Sequence, residues 1–345
     1  MTFRILLHAL MVIGALISAG MNPTEAAEDT PQQRKAECER GSTLQCVILG
    51  VLYWNGKEVK QDYLQAETLF RKACDSGDVF GCSALGDMYL TGTGVKLTSD
   101  EAVKSSRKAC NGRWADGCFN LGVMYEQGRG VNQDAVQAVV FYGKACYGGH
   151  AAGCFNIGRM HEMGTGVKQD AVQAVTFFRK ACDGSHAAGC SNLGVMYAQG
   201  RGVEQDAVQA VAFYREGCDT GDALGCSNLG QMYAKGTGVK QDNVQAVEFY
   251  RKSCDGRELI GCFNLGNRYR DGIGVKQDSI QAIKLFRQAC EGGVARGCVN
   301  VGVMYERGTV VKQDNNEALK YYGKGCDLKE QKGCEHYAGL KTGKR

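Results

Sequence analysis

Every cysteine of this chain falls on one ruler with a step of 36 residues. The first members of the pairs stand at Cys38, Cys74, Cys110, Cys146, Cys182, Cys218, Cys254, Cys290 and Cys326. Their partners follow eight positions later, at Cys46, Cys82, Cys118, Cys154, Cys190, Cys226, Cys262, Cys298 and Cys334. The nine pairs recur without an insertion or a deletion, so each unit must stack against copies of itself. A chain of 345 residues otherwise suggests two globular domains; the unbroken period argues for a single elongated repeat array.

One unit, Cys110 to Ala145, shows how the array is built. From about Ala115 to Gln127, the residues Leu121, Gly122 and Tyr125 share one side of a helix. Gly128 and Gly130 end it, because only glycine takes the left-handed conformation of a helix C-terminus without steric cost. Asp134 and Gln137 have the offset of a capping box, repeated at Asp170, Asp206, Asp242 and Asp278 with a glutamine three residues on. Thr98 with Glu101 and Asp314 with Glu317 meet the same requirement with other residues, which marks the start of a second helix. That helix runs from Ala135 to about Cys146, burying Ala138, Val139, Phe141 and Tyr142, and Gly148 and Gly149 close it. Gly122 and Ala138 are small at matching places, so the two helices can approach closely. The expected fold is all-α, a superhelical solenoid of αα-hairpins similar to tetratricopeptide arrays, with one disulfide per repeat.

Successive units of such a solenoid rise by about 10 Å, the distance between packed helices, whereas a disulfide needs α-carbons within roughly 7 Å. Only the partner eight residues away meets that limit, which pairs Cys38 with Cys46 and so on to Cys326 with Cys334. Each short loop is worth about 2 to 3 kcal/mol in the chain-entropy model. Metal binding is the rival use of cysteine, but it favours close C-x-x-C spacings completed by histidines, and the chain has five histidines in all. No cofactor is expected.

Prolines are confined to Pro23 and Pro31, ahead of the array, and 48 glycines suit helices joined by glycine-ended turns. A formal net charge of +4 with interspersed signs gives no reason to expect nucleic acid as a partner. Arg4 followed by the apolar run Ile5 to Ala19 has the pattern of a secretory leader over residues 1–26, with small residues for cleavage near Gly20 or Ala26. No later segment is apolar enough to span a membrane. A secreted or periplasmic protein is expected, in keeping with eighteen cysteines in even pairs. The organisation expected is a lead-in at 27–37, a solenoid of eight full units and a terminal half at 38–339, and a tail at 340–345.

The run G-C-x-N-L-G-x-M-Y-x-x-G-x-G-V, a spacer ending in Q-D, and then x-x-Q-A-V-x-F-Y-x-K-A-C resembles the Sel-one-like repeat. With a cysteine pair built into the repeat, it resembles the Helicobacter cysteine-rich protein family in particular, over Cys38 to about Gly339. The resemblance implies a secreted right-handed superhelix of disulfide-linked helix pairs, some members of which bind penicillins and slowly hydrolyse β-lactams. The departures lie at the ends. Ile48 stands where other units carry Asn, the Gly-x-Gly turn is missing at Gly56 to Glu58, and the last unit stops after Cys334.

A serine β-lactamase site needs a nucleophile with a lysine one helical turn away and polar groups on a sheet edge. Ser105-x-x-Lys108 and Lys341-Thr342-Gly343 are present, but Lys108 is the repeat lysine, Ser105 fills an aromatic slot, and no Ser-Asp-Asn occurs. No catalytic residue is assigned. A ladder is the better signal: Asn120, Asn156, Asn192, Asn228, Asn264 and Asn300 hold the same place in six successive units. On the first helices, facing inward, such amides would pair with the backbone of an extended peptide or a peptidoglycan-like ligand, or else tie down loops between repeats. Three and seven residues on, the side chains vary from Val123 and Gln127 to Val303 and Arg307, as in a tailored groove or an ordinary solvated face. Arg159 beside His161, which replaces the repeat tyrosine, and Arg268, which replaces the repeat methionine, suggest pockets for a carboxylate, or local repacking. His150 and His186, in the turns between units, are given no role. Three readings stay open: a module binding a peptide or cell-wall fragment, a slow β-lactam hydrolase, and a protein-interaction scaffold, host-interacting or structural.

Overall fold

The computed structural model describes residues 29–93 and 98–343, so the expected leader at 1–26 lies outside the described residues. The described residues form helices and turns and no strand. Two compact units divide at Gly184 and Ser185. The first holds α1 (Pro31–Glu39), α2 (Thr43–Asn55), α3 (Tyr63–Asp75), α4 (Val79–Thr91), α5 (Ser99–Asn111), α6 (Ala115–Gln127), α7 (Ala135–Tyr147), α8 (Ala151–Met163) and α9 (Ala171–Asp183). The second holds α10 (Ala187–Gln199), α11 (Ala207–Asp219), α12 (Ala223–Lys235), α13 (Asn243–Asp255), α14 (Leu259–Asp271), α15 (Ser279–Glu291), α16 (Ala295–Arg307), α17 (Asn315–Asp327) and α18 (Gln331–Thr342). Part of the expected lead-in is helix α1, whose last turn carries Cys38 as every second helix carries its first cysteine. At the other end α18 runs through Thr342, into the segment expected to be a tail.

The fold is the all-α solenoid of αα-hairpins. Helix pairs such as α6 with α7 and α12 with α13 make the most extensive contacts, and within each unit every second helix also packs on the first helix of the next pair. The first helices end as expected, on a glycine in the left-handed region: Gly128 has φ of 67°. The starts of the second helices differ in detail from the expected capping box. Asp134 accepts from the backbone N–H groups of Val136 and Gln137 at 2.9 and 3.1 Å, but the Gln137 side chain does not reach back. The reciprocal box forms at Thr98 with Glu101, and at Thr30 with Gln33. The glutamine that matters precedes the aspartate: Gln133 Nε2 donates to the Glu126 carbonyl at 2.9 Å, and Gln61, Gln169, Gln205, Gln241, Gln277 and Gln313 do the same in their repeats. The Gln-Asp pair thus closes one helix with its first residue and opens the next with its second.

The core is a ring set into a glycine. Tyr142 is fully buried, and a Cβ added to Gly122 would lie 2.5 Å from its ring. Gly194 against Tyr214, Gly230 against Tyr250 and Gly302 against Tyr322 repeat the arrangement. A glycine is needed here for space. Eight disulfides, from Cys38–Cys46 to Cys326–Cys334, hold α-carbons 4.5 to 4.7 Å apart across the turn between a second helix and the next first helix. Cys182 and Cys190 are disulfide-bonded as well, and no described cysteine is free. The repeat lysine ties down the same turn: Lys72 Nζ donates to the Cys38 carbonyl at 2.8 Å.

Candidate functional site

Successive first helices touch one another directly, α4 with α6 and α6 with α8 in the first unit, and α10 with α12, α12 with α14 and α16 with α18 in the second. Second helices show no comparable approach, so within each unit the stack closes towards the first helices. This face carries the asparagine row and the variable side chains three residues beyond it.

The structure divides the row. Asn120 is buried, 1% exposed, and its amide donates to the Ser83 carbonyl at 3.4 Å and hydrogen-bonds Asp87. Its expected offer to a ligand is therefore corrected: the amide is spent inside. The cause lies fourteen residues back. Ser106 stands where the other repeats set a ring into glycine, and the amide of Asn120 moves to within 3.0 Å of where a Gly86 Cβ would be. In the next repeat the ring is present, and half-buried Asn156 hydrogen-bonds the Tyr142 hydroxyl. In the second unit Asn192 donates to the Ala188 carbonyl at 2.8 Å and Asn300 to Asn267 Oδ1 at 3.3 Å. Asn228 and Asn264 are half-buried, and their amides make no hydrogen bond among the described residues.

The three basic residues fall in different surroundings. Arg159 is half-buried on α8, its guanidinium 6.0 Å from the Phe155 ring centre, close enough to Tyr142 for its charge to favour the phenolate. His161 keeps the aromatic slot it replaces, stacking on Phe177 at 5.4 Å. Burial pushes its pKa down, against the opposing charge of Asp170, so the imidazole is a weak anion receptor at neutral pH. Arg268 donates to Asn243 Oδ1 at 3.2 Å and stands 5.8 Å from the Tyr250 ring centre, hydrogen-bonding that tyrosine. It is packed locally, with guanidinium donors to spare.

A charged seam on the first unit's inner face is absent from the sequence reading. His150 Nε2 lies 3.2 Å from Asp116 Oδ1, its ring stacks on Phe119 at 4.2 Å, and its Nδ1 accepts from the Gly153 N–H at 3.0 Å, capping α8. Burial lowers the His150 pKa and raises that of Asp116, each partner opposing the other's shift. Asp87 is pushed up to about 7, first by burial and then by the Asp116 charge, while the Asn120 amide opposes the shift. Burial and then Glu126 raise the Tyr142 pKa, its hydroxyl donating to Glu126 Oε2 at 2.5 Å. His186 caps α10 as His150 caps α8, at 3.2 Å from the Gly189 N–H. The only sequence signal for this was a histidine before Ala-Ala-Gly-Cys in two repeats.

The serine–lysine pairing is undone. Ser105 Oγ donates to the Glu101 carbonyl at 2.8 Å, and Lys108 Nζ reaches the Cys74 carbonyl at 3.4 Å and Asp75 at 3.9 Å. Each group serves its own helix or turn, so neither is poised to activate the other. Lys341 lies over the Tyr337 ring and Thr342 bonds the Ala338 carbonyl, both in the last turn of a helix rather than on a sheet edge.

The Sel1 repeat model matches eight successive segments, from 46–78 and 79–110 through 295–330. Among solved structures, c5321, a protective antigen present in uropathogenic Escherichia coli strains and displaying an SLR fold, is 29% identical, with a TM-score of 0.78, covering 91% of this chain and 67% of that one. A Sel1 repeat protein from Oxalobacter formigenes is 23% identical with a TM-score of 0.64, covering 71% and 96% of the two chains. Cysteine-rich protein B of Helicobacter pylori is 29% identical over 38% of this chain and 95% of that one, with a TM-score of 0.32. No curated protein matches the chain in sequence.

Proposed function

Because the chain belongs to the Sel1 repeat family, we propose that it is a binding module that grips an extended segment of a partner protein along the first-helix face of its second unit. Sel1 repeats generally mediate protein–protein interaction. The observation that carries the reading is the pair of idle amides: Asn228 and Asn264 hold equivalent places in adjacent repeats, half-exposed and without an internal partner. Both amides keep contact with solvent, and a carboxamide matches the donor and acceptor of a peptide unit. Repeats rise by about 10 Å and an extended chain by about 3.3 Å per residue, so each amide meets every third residue of the segment. Gln231 is exposed beside Asn228, and the spare donors of Arg268 suit an acidic side chain of the segment. In the first unit Arg159 offers a cation with no ion pair among the described residues, beside an amide already engaged. Disulfides throughout, and no described helix long and apolar enough to cross a membrane, fit a periplasmic or extracellular setting.

The test is a selection of displayed random peptides on the oxidised full chain, followed by fluorescence polarisation with the peptides obtained. The double variant Asn228→Ala, Asn264→Ala removes two or more hydrogen bonds without disturbing an internal contact, so binding weakens by tenfold to about a hundredfold. Equal binding by wild type and double variant refutes the amide row.

A further inference from the structure

Equivalent positions of a repeat array meet equivalent surroundings, so a partner present in one repeat and missing in another marks a difference in what that place does. Of the rings set into glycine, four carry a hydroxyl: Tyr142, Tyr214, Tyr250 and Tyr322. In two of them the proton goes to a glutamate sixteen residues back, Tyr142 donating to Glu126 Oε2 at 2.5 Å and Tyr322 to Glu306. A residue of the next first helix joins each group, Asn156 hydrogen-bonding the Tyr142 hydroxyl and His336 stacking on the Tyr322 ring at 4.8 Å. Phe70, Phe178 and Phe286 have no hydroxyl to satisfy.

The other two tyrosines lie in adjacent repeats of the second unit, and both have lost the acid. Alanine stands in the place of the glutamate, Ala198 for Tyr214 and Ala234 for Tyr250, and each alanine packs in the same cluster as its tyrosine. The rings remain buried, 5% and 3% exposed. The Tyr214 hydroxyl makes no hydrogen bond among the described residues and keeps contact with solvent. Burial pushes its pKa up to about 12, so at neutral pH it is a donor without an acceptor. Tyr250 hydrogen-bonds Arg268, which can only donate, so the proton of this tyrosine also lacks an acceptor among the described residues. Fourteen residues beyond each tyrosine, at the place from which Asn156 meets Tyr142, stand the unengaged amides of Asn228 and Asn264.

Two neighbouring notches thus keep the hydroxyl and the amide of the Glu126 group and lack its carboxylate. The charges beside them favour an anion. Arg268 has no ion pair among the described residues, and Asp271, which feels its charge, is bound by Arg270 at 2.7 Å. Lys235, seven residues beyond Asn228 on the same helix face, is exposed and has no ion pair among the described residues.

We propose that the segment gripped by the second unit is acidic, with carboxylate side chains three residues apart that fill the places left by Ala198 and Ala234 and accept from Tyr214 and from Tyr250 with Arg268. The inference rests on the reading of this face as a peptide site and adds what the peptide must carry. Repeats rise by about 10 Å, and a polyproline II chain rises by about 3.1 Å per residue with about three residues to the turn. Side chains i and i+3 of such a segment point the same way about 9 Å apart, one repeat's rise, whereas in a β-strand they point to opposite faces. Hydrogen bonds from a hydroxyl or a guanidinium to a carboxylate are charge-assisted and stronger than neutral ones.

Fluorescence polarisation of the oxidised full chain with labelled proline–alanine peptides tests this. Each peptide carries two glutamates, spaced so that the second follows the first by about two, three or four residues, and each has a glutamine counterpart. The three-residue spacing binds at least about tenfold tighter than the other spacings and than its glutamine counterpart. Tyr214→Phe with Tyr250→Phe keeps both rings and weakens the acidic peptide by at least about tenfold. The melting temperature changes little, because neither hydroxyl proton has an internal acceptor to lose; Tyr142→Phe, which strands Glu126, lowers it. Ala198→Glu with Ala234→Glu restores the acids of the sibling repeats, abolishes binding of the acidic peptide and raises the melting temperature. Equal binding of glutamate and glutamine peptides, no binding by any of the set, or undiminished binding by the double glutamate variant overturns the proposal. Peptides selected by display need carry no acid, so their binding, and its loss in Asn228→Ala with Asn264→Ala, judges the amide row separately.

Discussion

Removing one staple from the middle of the second unit tests how local the architecture is. Cys254 and Cys262 are 6% and 0% exposed, with α-carbons 4.5 Å apart, and the bridge holds the last turn of α13 against the first turn of α14. Between them the chain passes through Arg257 at φ of 66°, a turn with little intrinsic preference for its conformation. For a loop this short the chain-entropy model assigns about 2.5 kcal/mol to the crosslink, which corresponds to roughly seventyfold in an opening equilibrium. The double variant Cys254→Ala, Cys262→Ala avoids stray thiols. Each repeat contacts only its neighbours, so the loss should stay near the lesion. Hydrogen exchange followed by mass spectrometry reads this directly: peptides within 243–271 exchange about fifty- to a hundredfold faster than in wild type, and peptides of α17 and α18 change much less. A rise below about threefold in 243–271, or a uniform rise across the second unit, refutes the picture of independent local staples.

Two further perturbations read the core and the charged seam. Asp87, raised to about 7 from an ordinary value of 3.8, binds more protons folded than unfolded between those limits, so the first unit loses stability as pH rises from about 4 to 7, by up to about 4 kcal/mol; Asp87→Asn flattens that dependence in urea titrations, and an unchanged pH profile counts against the buried-carboxyl account. Gly230→Ala places a methyl 2.8 Å from the Tyr250 ring and should destabilise the second unit by about 1 to 3 kcal/mol; a melting temperature unchanged or raised refutes the ring-in-glycine description.

Strictly periodic features were legible in the sequence, because stacking forces each copy to solve the same problem. The bounds of α6, Ala115 to Gln127, follow from an apolar stripe and a glycine stop. The disulfide pairing follows from comparing two distances. What escaped depends on contacts between repeats. Gln137 has the offset of a capping box, but Asp134 satisfies both nearby N–H groups alone, and the structural glutamine is Gln133, one residue before the aspartate. Asn120 and Asn228 look identical along the chain; the difference is set fourteen residues earlier, where Ser106 leaves space for an amide and Tyr214 does not. The bond between Asp116 and His150 spans 34 residues and unites two first helices, a pairing that no local window contains.

Departures from the repeat pattern are answered from within the fold only in part. Ser106 loses a ring, and the chain answers from within: Asn120 moves in, hydrogen-bonds Asp87, and the site closes. His161 loses a tyrosine but keeps its stacking partner, Phe177. Neither exchange is fully relieved: Ser106 Oγ and His161 Nδ1 are buried and find no hydrogen-bond partner among the described residues. The amides of Asn228 and Asn264 make no hydrogen bond among the described residues, whereas those of Asn120, Asn156, Asn192 and Asn300 are engaged, so one repeated residue serves different ends according to the ring or hydroxyl beside it.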